Sequence, residues 1–312
     1  MAPPEVCVVG EINPDLILYG LPAELKPEQE TLIDGIRVTL GSSSAIFAHN
    51  LAALGTRTGI VAKIGDDAFG KMSLGWLGEA GVDTSRVVTT TDAPTGETVI
   101  LAHPGYRYIL THPGAMFELS YTDLDLDYVF SARHLHVSSY FLHRDLRPRL
   151  VELFRLAKER GLSTSLDTND DPSGEWSEDL HALLPHVDIF FPNEREAKNI
   201  ARAADLDEAI RFLARHCRLF VLKRGCQGAL ARMGNQEWRC AGARVETKDA
   251  VGAGDSFDAG FLHRYLQGAK IDECLAYANV AGAYSTTQEG GIEAFRRREQ
   301  MRDFFKARLP GA

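Results

Sequence analysis

Cysteine is scarce in this chain of 312 residues: there are only five, and no two of them form a CxxC pair. This scarcity argues against a disulfide framework and against a zinc site built on paired cysteines. Long apolar runs are also absent, since no stretch reaches the ~18 residues that a membrane span requires. Residues 1–4 lead directly into the apolar run VCVVG, with no basic segment or cleavage site. We therefore expect reduced thiols, no secretion signal and a cytoplasmic location.

An excess of positive charge is absent too, because 43 acidic residues outweigh 34 lysines and arginines and give a net charge of −9. Overall charge therefore offers no attraction to nucleic acid or to an anionic membrane, and an anionic ligand needs a local site. The basic run 296–298 lies in an amphipathic stretch, which predicts a solvated helix face. Repeats, low-complexity tracts and linker-like segments are missing as well. We expect residues 1–312 to form one domain.

Strand-like and helix-like segments alternate along most of the chain. Short apolar segments predict strands at 5–12, 58–65, 133–139, 163–168, 187–193 and 219–225. Apolar residues at helical spacing predict helices at 43–55, 68–81, 145–161 and 205–217. Because parallel neighbouring strands need crossover connections, this order predicts a doubly wound α/β fold. Its sheet should be mainly parallel, with helices on both faces.

Two stretches interrupt the alternation. Residues 14–40 and 95–111 have the pattern of strands and hairpins with no helix between them. We expect them to form a small antiparallel β lid, inserted in the α/β body and able to close over a ligand.

The stretch DAVGAGDSF, residues 249–257, stands just before a long helical pattern. Gly252 and Gly254 flank Ala253 at this loop-to-helix junction, where unpaired N–H groups and the helix dipole would form an anion hole. Asp255 begins the helix, and a carboxylate there can accept the proton of a hydroxyl that attacks phosphorus. A capping aspartate after a tight turn is the structural alternative, and this motif alone leaves both open.

Extended to DAVGAGDSFDAGF, the stretch resembles the C-terminal signature of the ribokinase family, the PfkB-type carbohydrate kinases. The resemblance covers nearly the whole chain, because VVGEINPDLI, LGSSSAIFAHNLAALG, KIGDDAFG, SLDTN, FPNEREA and VLKRGCQGAL follow in the family's order. It implies a ribokinase-like fold. It also implies that Asp255 is the catalytic base, and that Gly252, Ala253 and Gly254 form the anion hole for the transferred phosphoryl group.

The same resemblance implies ATP and Mg²⁺ as cofactors. Asn193 and Glu196 match the family's NxxE motif, which is associated with Mg²⁺ held through water and with phosphate positioning. On residue type alone, an acidic helix N-terminus is the alternative. Asp249 and the carbonyl groups around 286–291 resemble a monovalent-cation site, so K⁺ is a further expectation.

The nucleotide itself is expected along the segment LKRGCQGA. Lys223, Gly225 and Gly228 match the family's positions for the phosphates and ribose, and Asn279 matches the region near the adenine. A lysine at a strand end can neutralise phosphate charge, and glycines permit close backbone approach. A plain hairpin between two strands is compatible with the same residues.

The resemblance places the acceptor at Asn13, Asp15, Gly41, Ser42, Arg107, Asp167 and Asn169. A carboxylate such as Asp15 can hold two vicinal hydroxyls of a sugar. Two departures from the family pattern leave the acceptor open, because Ser42 stands where a second glycine is common and Ile46 where an asparagine is often found. Arg107, between two tyrosines, is equally compatible with contacting the ligand and with an ordinary exposed strand.

Charge around the acceptor points to a neutral substrate. Asp170 and Asp171 stand where family members acting on acidic sugars tend to carry arginine, so a carboxylated sugar would meet like charge. We therefore predict ATP-dependent phosphorylation of a hydroxyl of a small neutral sugar. A nucleoside kinase of the same family and a sugar-sensing protein without turnover are the alternatives. Because the family's lid often pairs two subunits, a homodimer is also expected.

Overall fold

The computed structural model describes residues 3–103 and 105–309. Pro104, inside the predicted lid, lies outside the described residues, as do residues 1–2 and 310–312 of the predicted domain. Within the described part, no helix combines the length and the apolar character needed to cross a membrane. All five cysteines are free. The cytoplasmic location stays a prediction.

The described strands and helices keep the predicted alternation. The strands are β1 (Val6–Val9), β2 (Pro14–Tyr19), β3 (Gly35–Leu40), β4 (Thr58–Val61), β5 (Lys63–Gly65), β6 (Val88–Thr90), β7 (Glu97–His103), β8 (Tyr106–His112), β9 (His134–Val137), β10 (Ser163–Leu166), β11 (Ile189–Phe190), β12 (Phe220–Lys223), β13 (Ala229–Met233) and β14 (Gln236–Cys240). The α-helices are α1 (Ser43–Ala53), α2 (Ala68–Ala80), α3 (Leu126–Ser131), α4 (Leu150–Glu159), α5 (Asp179–Leu183), α6 (Glu194–Ala201), α7 (Leu206–His216), α8 (Ala253–Leu266), α9 (Ile271–Ser285) and α10 (Arg298–Arg308).

The larger sheet has the strand order β14-β13-β12-β11-β10-β9-β1-β4. Its strands pair in parallel from β4 to β12, and β13 and β14 are added in antiparallel fashion. Val6 and Val8 of β1 pack in the apolar core that contains α1, α2, α8 and α9, whereas Cys7 and Val9 pack in the core that contains α4, α6 and α7. Because successive strand residues point to opposite faces, helices cover both faces. The doubly wound prediction is confirmed.

The smaller sheet is formed by the two predicted lid segments, in the order β3-β2-β7-β8. Two antiparallel hairpins, β2/β3 and β7/β8, meet at a parallel β2/β7 pair. Residues 20–34 between the strands of the first hairpin are irregular and mostly exposed, so strands occupy only the ends of the predicted 14–40 segment. Ile17 and Ile100 on the inner face pack against Val251, just before α8. This contact places the lid beside the start of α8.

Candidate active site

The start of α8 has the geometry of an anion hole. Gly252 is the residue before the helix and has a left-handed φ of 71°. A Cβ on Gly252 would lie 2.7 Å from the Cα of Gly291, so both the backbone angle and the space require glycine. The N–H groups of Gly254 and Asp255, in the first turn, donate to no acceptor within the described residues. They are therefore available to an anion at the positive end of the helix dipole.

Asp255 lies in the first turn of α8 and is 8% exposed. Burial, reinforced by the negative charge of Asp167, raises the pKa of Asp255 to about 7, while the Lys223 ammonium acts in the opposite direction. A carboxyl group with this pKa can take up a proton near neutral pH, as a general base must. Asp255 lies beside the N–H groups at the start of α8, and its role as the catalytic base stays a prediction.

Ser43, which the sequence reasoning did not single out, lies close to Asp255. Its hydroxyl acts to lower the pKa of Asp255, and Asn169 Nδ2 donates to Ser43 Oγ at 2.6 Å. Asn169 also donates to Ser139 Oγ at 3.0 Å and has a left-handed φ of 52°. The predicted acceptor residue Asn169 therefore holds Ser43 in place near the base. In the sequence, only the position of Ser43 directly after Gly41 and Ser42 could have pointed to it.

Lys223 forms two ion pairs with buried carboxylates next to the anion hole. Its Nζ lies 2.6 Å from Asp167 Oδ2 and 3.0 Å from Asp258 Oδ2. A Cβ on Gly254 would be 3.5 Å from the same Nζ, so the ammonium lies close to the start of α8. Although burial acts in the opposite direction, Lys223 and Asp258 hold the pKa of Asp167 below its ordinary value. Burial raises the pKa of Asp258 well above its ordinary value.

Asp258 was the second residue that the sequence reasoning missed. It stands three positions after Asp255, a spacing that puts both on one helix face, so a local signal existed. Its Oδ1 is buried without a partner in the described part of the chain, which fits a protonated carboxyl beside Asp167.

Asn193 and Glu196 form a capping box at the start of α6, the alternative that residue type alone favoured. Asn193 Oδ1 accepts from the N–H of Glu196 at 2.9 Å, and Glu196 Oε2 accepts from the N–H of Asn193 at 2.8 Å. Burial, then the charge of Asp167, raises the pKa of Glu196 to about 7. A nearby cation would favour the ionised form of Glu196, but both of its carboxylate oxygens already accept hydrogen bonds from Asn193, so Mg²⁺ would reach the pair through water. Among the described residues no group of three histidine, cysteine or acidic side chains is placed to hold a metal ion.

Asp15 lies on the inner face of the lid and is 4% exposed. Burial and the charges of Asp255 and Asp249 raise the pKa of Asp15 to about 8, with Arg107 acting in the opposite direction. Hydrogen bonds make no contribution to this shift, so the carboxyl remains available to a ligand. Gly41 is required here, because a Cβ would lie 2.0 Å from Asp15 Oδ1. Asn13 Nδ2 donates to Thr98 Oγ1 at 3.2 Å and so joins β2 to β7.

Arg107 shares the inner face of the lid with Asp15. Ile109 pairs with Ile100, and Ile100 pairs with Ile17, so Ile109 and the residue two positions before it face the side of the sheet that carries Asp15. Arg107 is exposed, and its charge reaches Asp15 closely enough to lower the pKa of that carboxyl. The position suits contact with an acceptor under the lid.

Asp170 and Asp171 do not add free carboxylates to the acceptor side. Asp170 is exposed and pairs with Arg195 at 2.9 Å. Asp171 is buried, and its oxygens accept from the N–H groups of Ser173 at 2.9 Å and Trp176 at 2.7 Å. Asp171 therefore fixes the shape of its own loop, as aspartate often does in turns. These two carboxylates therefore do not support the prediction that the acceptor is neutral.

The predicted nucleotide residues lie where β12, β14 and α9 meet. Gly228 has φ 94°, and a Cβ there would lie 2.0 Å from the carbonyl oxygen of Cys240. Gly225 also has a left-handed φ, of 56°, with open space around it. Asn279 is buried and its Nδ2 lies 3.5 Å from the carbonyl oxygen of Cys240, a long contact. This amide is thus only weakly engaged and fits a hydrogen bond to a ligand.

Asp249 has protein partners at the place of the predicted monovalent cation. Its Oδ2 accepts from the hydroxyl of Tyr19 at 3.0 Å and from the N–H of Gly290 at 2.9 Å, and its Oδ1 accepts from the N–H of Val251 at 3.0 Å. The carboxylate thereby ties the lid to the loop before α8. These hydrogen bonds satisfy the oxygens of the Asp249 carboxylate without a bound ion.

Comparison with known proteins assigns the chain to a family. The family model described as pfkB family carbohydrate kinase matches residues 3–297. The chain is 28% identical over 284 residues to the 2-dehydro-3-deoxygluconokinase of Bacillus subtilis, covering 86% of this chain and 87% of that one. It is 26% identical over 308 residues to the ribokinase of Haemophilus influenzae, covering 96% and 97%.

Solved structures agree with the fold. A protein from E. coli assigned as a ribokinase II, in complex with ATP and Mg²⁺, has a TM-score of 0.85 and 25% identity over 97% of this chain and 99% of that one. The ribokinase of Arabidopsis thaliana, solved with ribose and ATP, has a TM-score of 0.83 at 24% identity, covering 98% and 99%. The first of these supports ATP and Mg²⁺ as cofactors of such proteins.

Proposed function

The chain belongs to the pfkB family of carbohydrate kinases, and from this premise we propose that it transfers a phosphoryl group from ATP to a hydroxyl of a small neutral sugar. The observation that carries the proposal is a buried carboxyl, Asp255, with a pKa of about 7, beside two N–H groups that donate to no acceptor among the described residues. A base and an anion site in contact are what phosphoryl transfer to a hydroxyl requires. A sugar sensor without turnover would have no use for this pairing.

In the proposed mechanism, the acceptor hydroxyl attacks the terminal phosphorus while its proton passes to a carboxylate oxygen of Asp255. The bond from that phosphorus to the leaving oxygen of the nucleotide breaks in the same displacement. The N–H groups of Gly254 and Asp255 stabilise the charge on the transferred group. The hydroxyl of Ser43, held by Asn169, lies beside this carboxylate and acts to lower its pKa, which favours the ionised base.

Bound ATP would supply the phosphoryl group, and Mg²⁺ would neutralise its phosphate oxygens. We assign the nucleotide to Gly225, Gly228 and Asn279, and the ion to Asn193 and Glu196 acting through water. Lys223 belongs to this phosphate side, although its two ion pairs make it primarily a partner of Asp167 and Asp258. A K⁺ ion at Asp249 remains a weaker proposal, because its oxygens already have donors.

The acceptor is assigned to the inner face of the lid. Asp15, whose carboxyl is free to bind hydroxyls, is the principal residue, with Arg107 facing the same space. Two observations favour a sugar acid as the second candidate. Arg107 is a cation on the acceptor side, and Asp15 with a pKa of about 8 carries little charge near neutral pH. The name of the Bacillus subtilis relative, 2-dehydro-3-deoxygluconokinase, likewise indicates a sugar acid as the substrate of that protein.

A panel of acceptors tests the proposal. ATP consumption would be measured with ribose, fructose, several nucleosides, 2-keto-3-deoxygluconate and fructose 6-phosphate at one salt concentration. We expect a neutral sugar to have the highest kcat/KM. A sugar acid that exceeds every neutral acceptor by tenfold would replace the first candidate with the second, and a nucleoside in that position would indicate a nucleoside kinase. No consumption with any acceptor would favour the sensor.

We also propose that two chains pair through the outer face of the lid. The inner-face residues Asp15, Ile17, Thr98 and Ile100 are buried, whereas Leu16, Leu18, Val99 and Leu101 on the outer face are only half-buried. Most of the outer face is apolar, and Glu97, His103 and His112 are polar residues on it; its apolar side chains include Leu16, Leu18, Ile36, Val38, Val99, Leu101, Tyr108 and Leu110. Apolar patches of this kind mark interaction sites, and a second copy of the same sheet would cover it.

A further inference from the structure

A cavity lies between the second half of α1, the end of α2 and the segment that leads into α10. Its volume is about 330 Å³, and its lining includes His49, Glu79, Glu293 and the arginine run 296–298. These residues are separate from the candidate active site. The volume suits a small molecule of a few carbon atoms with a charged group.

His49 presents a hydrogen-bond acceptor on this cavity. Asn50 Nδ2 donates both of its hydrogens, to Ser256 Oγ at 2.9 Å and to the carbonyl oxygen of Gly291 at 3.0 Å. Asn50 Oδ1 is thus an acceptor, and its partner His49 Nδ1, at 2.8 Å, carries the proton. Burial lowers the pKa of His49 to about 4, so the ring is neutral and Nε2 is a free acceptor. None of the described residues donates to Nε2.

The charges around the cavity favour an anion. Arg296 contacts Glu79 Oε2 at 2.8 Å and Glu293 Oε2 at 3.2 Å, so both carboxylates are already engaged. Arg298 donates weakly to the backbone carbonyl oxygens of Glu79 and Ala80, at 3.4 and 3.5 Å. Arg297 has no ion pair within the described part of the chain. The lining thus carries three arginines against two glutamates, and Arg297, the lining arginine without a partner among the described residues, can pair with a phosphate or carboxylate.

A hydrogen-bond chain joins this cavity to the anion hole. It runs from His49 through Asn50 to Ser256, whose hydroxyl donates to the carbonyl oxygen of Gly252 at 2.7 Å. Asn50 also holds Gly291, the residue whose backbone packs against Gly252. A ligand that binds His49 and shifts its ring would therefore also shift the turn at Gly252, which positions the N–H groups of Gly254 and Asp255.

We propose that the cavity lined by His49 and the arginine run is a second binding site, for a small anion that also carries a hydroxyl group. The anionic group pairs with Arg297, and the hydroxyl donates to His49 Nε2. Occupation of the site is coupled to the anion hole through Asn50. The proposal goes beyond the kinase assignment, and binding to the cavity does not depend on it.

Calorimetric titration of the full-length protein tests binding. The probes are glycerol 3-phosphate, which has both groups, sulfate, which lacks the hydroxyl donor, and glycerol, which lacks the charge. We expect one site for glycerol 3-phosphate, with affinity for sulfate and for glycerol lower by about tenfold each. Absence of binding at millimolar glycerol 3-phosphate overturns the proposal.

Variants separate this cavity from the anion hole, which also attracts phosphates. Arg297→Gln and His49→Asn should each weaken glycerol 3-phosphate by about tenfold, and the asparagine preserves a donor for Asn50. Arg302→Gln, an exposed arginine of α10 outside the cavity, is the matched control and should bind like the wild type. Unchanged binding in both test variants would place the probe elsewhere and overturn the site.

A separate measurement tests the coupling between the cavity and the anion hole. The dissociation constant of a non-hydrolysable ATP analogue would be measured with and without saturating glycerol 3-phosphate. Linkage requires the two ligands to change each other's affinity by the same factor, and we expect a change of about threefold or more that disappears in Arg297→Gln. Equal affinities with and without the probe would refute the coupling.

Discussion

At the scale of single residues, Asp255 has the most direct test. Asp255→Asn keeps the size of the side chain but removes its ability to accept a proton, so we expect kcat to fall by ~10²–10⁴ with little change in ATP affinity. Turnover and nucleotide binding would be measured on the same preparation. Asp170→Asn, at an exposed carboxylate paired with Arg195, is the matched control and should keep full activity. A variant that retains more than half of the wild-type kcat would remove Asp255 from the role.

The pH dependence follows from the raised pKa of Asp255, about 7. A base works only when ionised, so kcat/KM should fall as pH decreases through this value. Because the Lys223 ammonium holds that pKa down, Lys223→Met should move the acidic limb of the profile to higher pH. Profiles of the two proteins would be compared at constant ionic strength. An unmoved limb would mean that another group, such as Asp15 with a pKa of about 8, controls the rate.

At the scale of elements, the residue before α1 has a strained backbone conformation and also caps the helix. Ser42 precedes α1 with φ 65° and ψ 134°, a region adopted almost only by glycine. Its Oγ accepts from the N–H of Ala45 at 3.3 Å and donates to the carbonyl oxygen of Glu11. Ser42→Ala loses the cap and keeps the strain, so the free energy of unfolding should fall by about 1 kcal/mol.

Ser42→Gly is the matched control for that change. It loses the same side-chain contacts but relieves a strain on the order of 1 kcal/mol, so its stability should equal or exceed that of the wild type. Urea denaturation of the three proteins measures both differences. Equal losses in the two variants would show that the backbone angle carries no strain.

The elements that could be predicted from the sequence are those whose signals are local. The glycines before α8 and the position of Asp255 within it lie in one short stretch, and the alternation of strands and helices depends on residues close in sequence. The parallel β2/β7 pair joins segments about 80 residues apart, and no local pattern encodes such a register. It was therefore not predicted.

Side-chain direction explains why the site was predicted only in part. Asp167 and Asp171 both follow β10, yet Asp167 turns to Lys223 whereas Asp171 turns to its own loop. Residue type does not distinguish these outcomes, since aspartate serves equally in ion pairs and in turns. Ser43 reaches Asp255 from another part of the chain, so its role depends on the folded structure.

At the scale of the whole molecule, the lid determines the expected assembly. Its outer face presents apolar side chains on all four strands, among them Ile36 at 63% and Leu110 at 57% exposure. Burying such a face contributes roughly 25 cal/mol for each Å² of apolar surface removed from water. A second copy is the occupant that we propose, because the same self-complementary sheet is present on every chain.

Light scattering on the purified chain should therefore give twice the mass of one chain. A charge placed in the middle of the outer face, as in Leu101→Glu, would be buried without a partner in such a dimer, so this variant should be a monomer. Phe69→Glu on α2 is the matched control, since Phe69 is also apolar and exposed, at 40%, but is not part of the lid sheet. A wild-type protein that stays monomeric at micromolar concentration would refute the proposal, as would dissociation of both variants alike. Because Asp15 and Arg107 lie on the opposite face of the same sheet, the monomeric variant should also bind its acceptor more weakly, with a raised KM as the measurable consequence.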